Sequence, residues 1–89
     1  MEEKTAAQRC LQFASRPKQG RAPAIIFTLR RKDAGAVLRN YVKRAARERF
    51  SRILQERQLD VHVTLLRKIA WKEKTAIVEE MGEFAGTMR

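Results

Sequence analysis

Hydrophobic residues are placed along this chain in two different periods, and the alternation between them sets out most of the expected elements. Residues 24–29, Ala-Ile-Ile-Phe-Thr-Leu, form a β-branched and aromatic run bounded by turn-forming and charged residues, which predicts a buried strand. From Val37 onward the apolar residues Leu38, Tyr41, Val42, Ala45 and Ile53 fall on one arc at 100° per residue, which predicts a long helix over about 34–54. Asp33 stands where its carboxylate can accept from the free backbone N–H groups of the first turn. Residues 55–59 read as a connector. Residues 60–66 then alternate with period two, placing Val61, Val63 and Leu65 on one face of a second strand and His62 on the other. Ile77, Val78, Met81, Phe84 and Ala85 recur at helical spacing over 75–85, with Gly86 beyond as a stop. At the start, Thr5 as a cap and Ala7, Cys10, Leu11 and Ala14 on one face predict a short helix over 1–14. Pro17, Gly20 and Pro23 among Arg16, Lys18 and Arg21 make 15–23 a basic loop.

This pattern describes one thin domain covering residues 1–89, with strands and helices sharing a single core. A chain of 89 residues buries only roughly 60% of its unfolded surface, so one sheet backed by two or three helices is all its core can support. The longest apolar run is far short of the roughly 20 residues that span a bilayer. The opening Met1-Glu2-Glu3 is acidic where a secretory signal would be basic. A single cysteine, Cys10, excludes an intramolecular disulfide and fits a reducing compartment. These features lead us to expect a cytoplasmic protein with no membrane partner.

Charge turns the fold expectation into a functional one. The formal net charge is +10, and sixteen of the twenty Lys and Arg lie between Arg9 and Lys68 against four of the ten acids. That localised excess projects a positive potential attractive to polyanions, of which nucleic acid is the commonest partner. Within the long helix, Arg39, Asn40, Lys43, Arg44 and Arg47 gather on an arc separate from the apolar one. Steps of three and four residues set successive heads about one turn apart, and Arg forks can donate two parallel bonds to phosphate. A solvated helix face would account for the same Arg and Lys stripe. Asn40 favours recognition, because an amide adds a donor and an acceptor that suit a sugar or base edge and gives no more solubility than Lys.

The run from Lys32 to Phe50 also resembles the signature of the bacterial ribonuclease P protein: a Lys, a Gly, Ala-Val, Arg-Asn-Arg, Lys-Arg and Arg-Glu in that order. Lys32, Ala36, Val37, Arg39, Asn40, Lys43, Arg44, Arg47, Glu48 and Phe50 match it without a gap. The third residue of Arg-Asn-Arg is Tyr41 here, either a core residue or a base-stacking one, and the family's Gly is Ala34 with Gly35 following. The resemblance implies an α+β fold, a small mixed sheet covered by helices as in the second domain of a small-subunit ribosomal protein, its N-terminal part contracted, with the basic helix linking two parallel strands. It implies RNA contacts by Lys32, Arg39, Asn40, Lys43, Arg44 and Arg47. Phe13, Arg16, Lys18, Arg21 and Phe27 are weaker candidates for the 5′ leader of precursor tRNA, and a Phe in the position of Phe27 is more often core than a stacking platform. Family members carry a longer N-terminal segment that helps form the leader cleft, so the number of strands in residues 10–30 bears directly on that role.

Nothing in the chain itself reads as a catalytic centre. Acidic residues are scattered, Glu48 reads as an ion-pair partner for Arg44, Arg47 or Arg52, His62 is alone, and Cys10 reads as core. No Gly-rich phosphate loop or zinc spacing occurs. The resemblance implies that the RNA subunit holds Mg²⁺ and cleaves precursor tRNA, the protein binding no cofactor and acting through electrostatics. Two other readings use the same stripe: a ribosomal-type RNA-binding protein with no part in tRNA processing, and a helix-based DNA binder. The latter lacks the neighbouring helix of a helix–turn–helix.

Overall fold

A computed structural model of the chain describes residues 9–88. Its elements run β1 (Leu11–Pro17), β2 (Ile25–Thr28), α1 (Ala36–Arg57), β3 (Leu59–Leu65), a single 3₁₀ turn at Trp71–Glu73, and α2 (Lys74–Thr87). The strands form one sheet in the order β1-β3-β2, with β3 antiparallel to β1 and parallel to β2. The long basic helix therefore links two parallel, adjacent strands.

Alternation along β3 places Val61, Val63 and Leu65 under the helices, all buried, and the neighbouring strands follow its register. Val63 lies opposite Phe13 on one side and Phe27 on the other. On the reverse face, His62 lies between Ala14 and Ile26. From α1, Leu38, Val42, Ala45, Ala46, Phe50, Ile53 and Leu54 are buried, and from α2, Ile77, Met81 and Ala85. Phe50 is the meeting point of these layers. Its ring is 5.8 Å from Phe13 and 6.0 Å from Phe84, edge to face with both, while Phe13 and Phe84 stack at 4.9 Å.

Several expectations need correction. The helix expected over 1–14 is contradicted from Leu11 onward, where the chain is strand β1; Thr5 and Ala7 lie outside the described residues. Leu11 and Phe13 point to the core and Gln12 and Ala14 away from it, so period two operates where period 3.6 also fitted. Seven register pairs with β3 stabilise the strand form, a gain invisible to local spacing. The basic loop is correspondingly shorter, because residues 15–17 belong to β1. Pro17 ends that strand at the sheet edge, where a missing N–H is tolerated.

Strand β2 was expected to be buried, yet only Ile25 and Phe27 are partly covered, while Ile26 and Thr28 are exposed on the uncovered face. Asp33 does not cap α1. Gly35 occupies the N-cap without a side-chain bond, and the Asp33 carboxylate instead accepts from Arg30 Nε at 2.7 Å. Val37, at the border of the apolar arc and on the row of Asn40 and Arg44, is 70% exposed. At the other end α1 continues through residues 55–57 and stops at Gln58, which adopts the left-handed conformation with φ 55°. Gly86 lies inside α2, not beyond it.

Candidate nucleic-acid interface

Arg39, Lys43 and Arg47, one helical turn apart, form a row along the side of α1 that faces β2. Across from them stand Ile25, Phe27 and Leu29, and together the six residues line an open groove of about 470 Å³. One wall is cationic and the other apolar, a combination suited to phosphate on one side and base or sugar on the other. Arg47 is exposed, whereas Arg39 and Lys43 are half-buried, leaning over the groove. Arg39 Nε is enclosed and has no hydrogen-bond partner, an unmet donor at the groove wall. Asn40 and Arg44 lie on the adjoining, exposed side of α1, and Lys32 is exposed in the turn before it. Among the described residues, Arg39, Lys43, Arg44 and Arg47 form no ion pair, so each retains its full charge for an external partner. The ion pair expected for Glu48 is not formed either; Arg52 pairs with Glu56 at 3.1 Å, one turn further on.

The remaining candidates divide between two faces. Phe27 is half-buried in the groove wall. Phe13 is stacked on Phe84 beneath the helices, and Arg16, three residues on, lies on the opposite, uncovered face of the sheet. Arg16 shares a small hollow with Ala14, Ile26, Asp60 and His62. His62 is exposed, as alternation predicts, with Nε2 2.7 Å from Thr28 Oγ1. Lys18 and Arg21 are joined through a bond from Lys18 Nζ to the Arg21 carbonyl at 3.0 Å. Tyr41 is half-buried, set edge-on to Trp71 at 5.4 Å.

Two acidic residues that sequence reasoning passed over hold these parts in place. Asp60, buried at the start of β3, accepts from the backbone N–H of Gln19 through one oxygen (3.1 Å) and of Ala24 through the other (2.9 Å). It thereby shapes the loop that carries Lys18 and Arg21. Glu80, 1% exposed, accepts from the backbone N–H groups of Cys10 (3.1 Å) and Leu11 (3.0 Å), fastening the start of β1 to α2. A signal was present, since Glu80 falls between Ile77, Met81 and Phe84 on the apolar face of its helix. Nearby, Arg67 pairs with Glu73 at 2.9 Å, and this bond with one from the Ala70 N–H holds the Glu73 carboxyl below its usual range.

Burial, reinforced by Glu80, pushes the Cys10 thiol up to about 11. At neutral pH it is a neutral thiol with no access to solvent. Native protein at pH 8 should react with a disulfide reagent at least about a hundredfold more slowly than denatured protein. Equal rates before and after denaturation would show Cys10 to be accessible.

A family model described as Ribonuclease P matches residues 1–89, the whole chain. The chain belongs to the ribonuclease P protein family. No curated protein and no solved structure matches it. The three-stranded mixed sheet with two helices is consistent with the ribonuclease P protein fold. Membership also ties the chain to an endoribonuclease complex with an RNA partner, and to tRNA processing. Residues 10–30 contribute two strands, β1 and β2, where local patterning predicts only the second. Among the described residues, no helix is long and apolar enough to cross a membrane, and no three His, Cys, Asp or Glu side chains gather where a metal ion could sit.

Proposed function

We propose that this ribonuclease P protein binds the catalytic RNA of the enzyme through α1 and helps hold precursor tRNA while its 5′ leader is removed. The observation that carries this is the unpaired cationic row of Arg39, Lys43 and Arg47 set against the apolar wall of Ile25, Phe27 and Leu29. Lys32, Asn40 and Arg44 extend the contact along the exposed side of the helix. The groove accepts a single strand more readily than a duplex, because a base can rest on Phe27 only if it is unpaired. Arg16, Lys18 and Arg21 would approach the tRNA from the other side of the sheet. Phe13, committed to the three-ring cluster, would support that edge from beneath without touching the leader.

On this reading the protein supplies no catalytic group. Mg²⁺ and the cleavage chemistry belong to the RNA, and the protein lowers the repulsion between two polyanions brought together. The complex would act in the cytoplasm. The test combines the protein with a bacterial ribonuclease P RNA and precursor tRNA at low Mg²⁺, where repulsion is least screened. Added protein should raise the rate of 5′ cleavage. Tight RNA binding with no gain in cleavage would favour a ribosomal-type RNA-binding role and end this proposal.

A further inference from the structure

One apolar patch on the surface is left unexplained by the groove. Val37 in the first turn of α1 is 70% exposed and Trp71 is 47% exposed, and both line a shallow depression of about 480 Å³. Its floor is Leu38 and Ile69, both buried, with Gly35 at its edge. An exposed indole on a small domain is a cost in water unless something covers it.

Trp71 is not loosely held. The Tyr41 ring packs against it at 72°, and the Lys74 ammonium sits 4.7 Å from its centroid. The 3₁₀ turn that carries it is closed by Glu73, which accepts from the Ala70 N–H at 2.8 Å and is gripped by Arg67 at 2.9 Å. A fixed, half-open aromatic surface is therefore presented with little ordering left to be done on binding.

The charge around it selects the occupant. Lys68, Lys72 and Lys74 are exposed in this segment, and Glu73, the acid among them, is engaged by Arg67. An apolar platform ringed by cations complements a planar group attached to an anion. The patch also continues the RNA-facing side of α1, because Asn40 and Arg44 follow Val37 by three and seven residues on the same helical row. We propose that Trp71, flanked by Val37, is a stacking subsite for an unpaired base of the RNA partner, with Lys72 and Lys74 toward the adjoining phosphates. This inference rests on the RNA-binding reading above and adds a second contact area to it.

Trp71 is the only tryptophan of the chain, so it reports on its own surroundings. The full chain is titrated with a bacterial ribonuclease P RNA while binding is followed separately by filter retention of labelled RNA. Tryptophan emission should be quenched in step with binding. Trp71→Leu should weaken binding roughly tenfold, as loss of one base–aromatic stack does, and Trp71→Phe should restore most of it. A perfect RNA duplex at matched salt should leave the emission unchanged. Full binding with constant emission, or a folded Trp71→Leu protein that binds like the wild type, overturns this inference alone. Emission that changes with protein concentration before RNA is added would identify a second copy of the chain as the occupant and overturn it too. If the wild type binds no RNA, the proposed function fails with it. Should Trp71→Leu not fold, the emission of the wild type still decides.

Discussion

Replacing both Arg44 and Arg47 with Glu is expected to lower the affinity for ribonuclease P RNA by at least about a hundredfold at 0.1 M salt, without unfolding the protein. Each phosphate contact releases close to one counterion, so each contributes about one decade of affinity at that ionic strength. Two lost contacts account for the hundredfold, and the repulsion of two new carboxylates adds to it. Both side chains are exposed and unpaired, so the fold should lose little from the exchange. Arg39 is less suitable for this test because it is half-buried, with its Nε enclosed beside Ile25 and Phe27. The measurement is binding across a salt series, in which the slope of log affinity against log salt should flatten by about 1.4 to 1.8. A double variant that binds as tightly as the wild type, with the same slope, would show that this side of α1 does not meet RNA.

The basic helix was the most legible part of the chain because its chemistry and its period are both local. Arg39, Lys43 and Arg47 are four residues apart in sequence and so must share a face whatever they pack against. The apolar wall that converts this stripe into a groove was harder to read. Ile25, Phe27 and Leu29 looked like the inside of a buried strand, and only the sheet order shows that β2 is an edge strand with one side open to α1. Strand β1 was hidden for a related reason: Cys10, Leu11 and Ala14 satisfy helical spacing, and pairing with residues about fifty positions later settles the matter. Asp60 bonds to Gln19, 41 residues away, and Glu80 bonds to Cys10, 70 residues away, so neither role follows from its neighbours in sequence. Asp33 shows the converse hazard. The carboxylate cap read from Asp33 does not form: the helix starts two residues later at Gly35 without a side-chain cap, and an Arg three positions before Asp33 offers its carboxylate a stronger partner than bare N–H groups.

Glu80→Ala should be strongly destabilising, on the scale of losing a large core side chain. It removes the acceptor for the backbone N–H groups of Cys10 and Leu11 at a place where water cannot replace it, since Cys10 is fully buried and Leu11 nearly so. Leaving a buried donor unsatisfied costs roughly 1–3 kcal/mol, so two together cost about 3 kcal/mol or more. For a domain of this size each kcal/mol lowers Tm by roughly 4–8 °C, which predicts a fall of about 12 to 24 °C. Glu80→Gln keeps an acceptor oxygen of similar reach and should recover more than half of that loss. The consequence extends to the proposed tRNA-facing surface, because the same bonds fasten β1, and β1 delivers Arg16 and the loop of Lys18 and Arg21 to the far side of the sheet. Near the melting point of the variant, protection of the Cys10 thiol should vanish before that of the β3 amides, since the start of β1 is released first. Thermal unfolding of the two variants, followed by circular dichroism, decides the matter. If the alanine variant melts within about 3 °C of the wild type, the carboxylate is a passenger and packing of Phe13 against Phe50 and Phe84 suffices to hold that edge.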